Sequence, residues 1–185
     1  MITKMPETSA AALIDSFRQA RNAAKTELEW LVIAHDDERL VDSLTSSLSD
    51  VAPHLMEMPQ SDWDFCQGGL AEAIEWAVNQ GSIKHLVLVG HSQAEDEIEH
   101  VSPAGLPSRS DGYRRLHAGV TRTSVQTRKS QDLLEKQLEA LTAMKSVRKK
   151  VLDGDLFVYG LFFLAQSATF LAYDPDRKDV LPLIS

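Results

Sequence analysis

Two short polar clusters hold the side chains best suited to chemistry. The first is His91-Ser92-Gln93-Ala94, directly after the apolar run 86–90 (LVLVG). The second is His35-Asp36-Asp37-Glu38-Arg39, directly after the apolar run 29–34 (EWLVIA). An imidazole in such a place can ligate a metal through a ring nitrogen or move a proton near neutral pH. A serine hydroxyl on a sharp strand-to-helix turn can act as a nucleophile. A carboxylate beside either group can orient it or join the metal.

Such residues need a scaffold that brings strand ends together. Runs 29–34 and 84–90 are short and rich in Val, Ile and Leu, which is the pattern of buried parallel strands. A weaker strand is expected over 54–58. Between them, Leu40, Val41, Leu44 and Leu48 define one helix, closed by Pro53, and Leu70, Ala73, Ile74, Ala77 and Val78 define another, stopped at Gly81. Strands alternating with helices predict crossover units and a parallel sheet, whose ligand sites lie beyond the carboxyl ends of the strands. Ahead of the first strand, Thr8 or Ser9 caps a helix carrying Leu13, Ile14, Phe17, Ala20, Ala24 and Leu28, expected to pack on a partner subunit. Residues 59–69, with Trp63 and Cys66, read as a loop.

The second half is less regular. Glu95, Asp96, Glu97 and Glu99 form an acidic run, 102–112 is a Pro, Gly and Ser-rich loop, and 113–128 is basic and partly helical. Ser130 is expected to cap a helix carrying Leu134, Leu138, Leu141 and Met144. Residues 147–152 add a turn or two before Gly154 ends it. Segments 155–165 and 168–173 flank Gln166-Ser167 as a hairpin at the sheet edge. The tail 174–185 turns apolar, as if to dock. The expected fold is one α/β domain over 1–185, with 1–28 as a helical arm. It has a mainly parallel sheet of about four strands, an antiparallel edge strand at the C-terminus, and flanking helices.

Composition sets outer bounds on function. With 43% apolar and 25% charged residues among 185, the chain can bury a core. A net charge of −8 disfavours nucleic acid and anionic membrane as partners. No apolar run reaches the roughly 18 residues that a membrane span needs. The first residues lack the apolar core and cleavage site of a secretory signal. Cys66 is the one cysteine, so an internal disulfide and a multi-thiolate metal site are both ruled out. A cytoplasmic location is expected.

In motif order, the chain resembles the β-class carbonic anhydrases. Ala34-His35-Asp36-Asp37-Glu38-Arg39 stands where that family has Cys-x-Asp-x-Arg. Residues 73–78 (AIEWAV) and 83–92 (IKHLVLVGHS) resemble the family's helix and its strand ending in Gly-His-Ser. Val147-Arg148, Gly154-Asp155-Leu156 and Pro182-Leu183 resemble its C-terminal signature. The similarity runs from Trp30 to the C-terminus, with a poor match between Glu95 and Lys129. It implies the family fold, a homodimer or higher homo-oligomer, and a zinc held by two cysteines and a histidine. Residue by residue, His91 keeps the histidine position, His35 replaces the first cysteine, and Ala94 replaces the second. Asp37 and Arg39 keep the family's catalytic pair, in which the aspartate accepts a hydrogen bond from the metal-bound water.

Three readings follow. The first is a carbonic-anhydrase-like scaffold without catalytic metal, serving binding or assembly, with Asp37 and Arg39 as a structural ion pair; its expected cofactor is none. The second is a rebuilt zinc site of His35, His91 and Asp37, with Cys66 as an outside ligand, adding zinc hydroxide to a small electrophile such as CO2. The third is a serine hydrolase built on Gly90-His91-Ser92-Gln93-Ala94, against which stands the absence of any histidine after His117 and of an HGGG-type oxyanion segment.

Overall fold

The computed structural model describes residues 28–48, 53–58, 69–80, 82–92 and 127–182. Its centre is a six-stranded sheet in the order β2-β1-β3-β4-β5-β6. The strands are β1 (Trp30–His35), β2 (His54–Met58), β3 (His85–His91), β4 (Phe157–Leu164), β5 (Thr169–Asp174) and β6 (Asp179–Pro182). The first four are mutually parallel; β5 and β6 return as an antiparallel meander. The helices are α1 (Glu38–Ser47), α2 (Gly69–Gln80), α3 over 127–143, and α4 (Lys145–Asp153).

Burial explains the strand sequences. Leu31 to His35 and Leu86 to Gly90 are buried without a break, because helices cover both faces of these central strands. Edge strand β2 instead alternates: His54, Met56 and Met58 are buried, Leu55 is half-buried and Glu57 exposed. One face of the sheet packs Leu31, Ile33, Leu86, Leu88 and Phe162 against α2, α3 and α4. The other packs Val32, Ala34, Val87, Val89 and Phe163 against Leu40 and Leu44 of α1.

Two glycines let α3 lie close to the sheet. A Cβ at Gly90 would stand 3.2 Å from Leu134 Cβ, and one at Gly160 only 2.5 Å from Leu138 Cδ1 and 2.9 Å from Tyr173 Cβ. Gly154 ends α4 at φ 78°, with the Asp155 N–H returning to the Lys150 carbonyl. Both C-terminal hairpins close on a non-glycine residue at positive φ, Ala168 at 50° and Lys178 at 51°.

Several expectations need adjustment. The sheet has six strands rather than about four, because 179–182, read as a docking tail, pairs with β5. Two antiparallel strands, rather than one, therefore follow the parallel set. Ser130 does not cap α3, which is already helical at 127. The N-terminal helix, the loop bearing Trp63 and Cys66, and the stretch from Gln93 to residue 126 lie outside the described residues.

Candidate functional site

The carboxyl ends of β1 and β3 meet side by side, as a parallel sheet requires, and bring His35 and His91 together. Their rings sit edge to face, with centroids 4.5 Å apart and planes at 81°. His35 is 7% exposed. Burial, reinforced by the neighbouring His91 and opposed by Asp37, drives its pKa down to about 4, so the ring is neutral at physiological pH. His91 Nδ1 lies 3.2 Å from the Ser92 carbonyl oxygen. A carbonyl only accepts, so Nδ1 is the donor in this contact.

Asp37 and the backbone beside it hold the start of α1. Asp37 is the N-cap of α1, and its Oδ1 accepts the Leu40 N–H at 2.9 Å. Arg39 is exposed in the first turn of α1. The ion pair expected between Asp37 and Arg39 is not formed among the described residues. Backbone bonds fix the same turn: Asp36 N–H reaches the Met58 carbonyl at 3.0 Å and Asp37 N–H the His35 carbonyl at 2.9 Å.

Ser92 works as a clasp between β3 and β4. It is 8% exposed, and its N–H donates to the Phe163 carbonyl at 2.9 Å. Its Oγ accepts the Ala165 N–H at 3.0 Å and donates to the Phe163 carbonyl at 3.5 Å. The adjacent His91 imidazole is turned to the Ser92 backbone carbonyl rather than to the hydroxyl. Among the described residues Ser92 thus acts as a structural tie between the two strands. The sequence signal for this role was the buried position one residue past a central strand.

The zinc that the resemblance implies asks for three protein donors. The described strand ends supply two imidazoles. Asp37 already accepts a cap bond, and no three His, Cys, Asp or Glu side chains among the described residues are grouped to hold an ion. Ala94 brings no donor atom, and Cys66 lies outside the described residues. Among the described residues, the donor set does not fit the family's metal.

The amino ends of the same strands hold a second feature. Trp30, His85 and Phe157 are in register on three neighbouring strands. Their rings stack, Trp30 on His85 at 4.1 Å and His85 on Phe157 at 5.7 Å. Tyr159 joins them, with its hydroxyl 3.2 Å from His85 Nδ1. A cavity of about 580 Å³ opens beside this stack. The readable signal was aromatic residues at strand starts, paired across the sheet.

No family profile and no curated protein sequence matches the chain. Solved structures do. The β-carbonic anhydrase CcaA superposes with a TM-score of 0.61 at 19% identity, over 95% of this chain and 85% of that one. A β-carbonic anhydrase of Aspergillus fumigatus, CafA, gives 0.58 at 18% identity, over 91% and 88%. A tetrameric β-carbonic anhydrase of the ascomycete Sordaria macrospora gives 0.57 at 20%, over 84% of each chain. The chain has the β-carbonic anhydrase fold.

Proposed function

We propose that the chain is a divergent member of the β-carbonic anhydrase family whose zinc site has decayed, and that it serves as a homo-oligomeric binding or assembly protein in the cytoplasm rather than as an efficient CO2 hydratase. The observation that carries this reading is the donor set at the strand ends. His35 and His91 stand together, the third family position is Ala94, and Asp37 caps α1 through Oδ1. Without a third ligand nothing at this place brings a bound water toward a neutral pKa, and CO2 hydration lacks its nucleophile. Asp37 and Arg39 then survive as family positions with a different use, the first as a helix cap.

The single Cys66 and the absence, among the described residues, of a helix long and apolar enough to cross a membrane agree with this reading. The tetramer named for the Sordaria macrospora neighbour supports a homo-oligomer.

Metal analysis of untagged protein, purified without added metal, tests the proposal together with CO2 hydration by stopped flow. The expected outcome is substoichiometric zinc and a rate at the buffer background. Stoichiometric zinc that disappears in His35→Ala or His91→Ala, with hydration lost alongside, would replace it with the rebuilt His35, His91 and Asp37 site.

A further inference from the structure

We infer that the outward face of α4 is a docking surface for an acidic peptide segment of another protein, one that carries an apolar residue among its carboxylates. This gives the binding role proposed above a class of partner. The nine residues of α4 read KSVRKKVLD. Val147 is fully buried in the main core cluster and fixes the inward side of the helix. The spacing i, i+3, i+4, i+7 brings Lys145, Arg148, Lys149 and Leu152 together on the opposite side. All four are exposed. Leu152, at 77%, is the most exposed large apolar side chain among the described residues, and Val151 beside it is 40% exposed. A lone exposed leucine is ordinary. One that shares its helix face with three cations is a different surface, with an apolar contact and a charge contact side by side.

Charge selects the occupant. The ion pairs among the described residues engage Lys84, Arg177 and Lys178, and none of them engages Lys145, Arg148, Lys149 or Lys150. Asp153 is the one acidic residue in α4. The helix is therefore a cationic island on a chain whose net charge is −8, and its complement is an anion. Carboxylates and phosphates both answer that charge, and the surroundings separate them. Asp153 and Asp155 are exposed just past Leu152. A flat anionic membrane or a nucleic acid duplex would press phosphates against these carboxylates and against the acidic body behind them. A narrow peptide avoids both. The helix is about 13 Å long, the span of about four residues of extended chain. Such a segment sets its carboxylates against Lys145, Arg148 and Lys149 and its apolar residue against Leu152 and Val151.

Fluorescence anisotropy tests this, with a fluorescein-labelled peptide centred on Glu-Glu-Asp-Leu-Glu titrated with the full chain. Saturable binding is expected, with a Kd of about 10–100 μM that weakens as salt rises. Arg148→Glu/Lys149→Glu should bind at least about 10-fold more weakly with an unchanged far-UV spectrum. Leu152→Ser, and separately a probe with serine in place of its leucine, should each lose about fivefold. These two decide the matter if the double variant fails to fold. No saturable binding up to about 1 mM overturns the inference. Binding that is the same for the serine probe and for Leu152→Ser reduces the effect to unspecific attraction of a polyanion and overturns it as well. Wild type that ignores the peptide but co-sediments with phosphatidylserine vesicles, in a manner lost in the double variant, overturns it in favour of a membrane. Each of these failures leaves the zinc content and the CO2 hydration rate, and with them the reading above, untouched.

Discussion

At the carboxyl ends of β1 and β3, polar side chains are turned inward and used on the chain itself. At the amino ends of the same strands, apolar side chains are turned outward and left in view. His35, Asp37 and Ser92 each sit where a catalytic site of this fold is expected, yet Asp37 caps a helix and Ser92 fastens β4. His85, by contrast, is stacked between Trp30 and Phe157 on an open face. The difference teaches that a position suited to chemistry can be retained for what it does to the backbone. It also predicts that substitutions at the carboxyl end register chiefly as stability.

The largest effect sharpens the carboxyl end. The pKa of His35 falls from 6.5 unfolded to about 4 folded. Between these values the unfolded chain binds the extra proton, so stability is complete above about pH 6.5 and declines as pH falls toward 4. His54 is depressed by burial and acts in the same direction. The shift corresponds to about 3 kcal/mol, which residual solvent screening reduces to roughly 2. Urea melts at pH 7 and pH 4.5 measure it, and His35→Gln should flatten most of the His35 contribution. A pH-independent midpoint would show that His35 is not held neutral by the fold.

Next comes Ser92→Ala, which strips the Ala165 N–H of its acceptor in a nearly buried place. The expected loss is about 1–2 kcal/mol by thermal or urea unfolding. A gain of stability, with exposed Oγ reactivity in the wild type, would return Ser92 to the list of nucleophiles. The smallest effect separates two family positions. Asp37→Ala should cost about 1 kcal/mol through its lost cap, whereas Arg39→Ala should stay within about 0.5 kcal/mol because that side chain is exposed. Equal losses for the two would mean that they act as a pair after all.

Much of the scaffold was legible because periodicity and burial are local consequences of packing. The bounds expected for the strand over 54–58 match β2, and Gly154 stops α4 as read. The hairpin around Gln166-Ser167 forms with the register Leu164 to Thr169. What escaped reading depended on partners distant in sequence. β6 looked like a tail because its four residues gain strand character only beside β5. Asp37 was legible as a cap from its place just ahead of Glu38, yet the family pattern drew the eye to catalysis instead. The stack of Trp30, His85 and Phe157 joins residues separated by up to 127 positions, a meeting that only the register of three strands creates.

The tie from Ser92 to β4 has a kinetic meaning as well. The sheet consists of an early piece, β2-β1-β3, and a late piece, β4-β5-β6, and they meet along the β3–β4 seam, from His85 beside Phe157 to His91 beside Phe163. The late piece is a meander with short turns and low closure entropy, while the seam joins strands whose ends, His91 and Phe157, stand 66 positions apart. A nascent chain therefore carries β3 with one edge unpaired until the C-terminal third has been made. Contacts that seal the seam belong to the end of the folding reaction. Removing the Ser92 hydroxyl then accelerates unfolding while leaving the rate of folding almost unchanged, so the clasp sets how long the assembled sheet lasts.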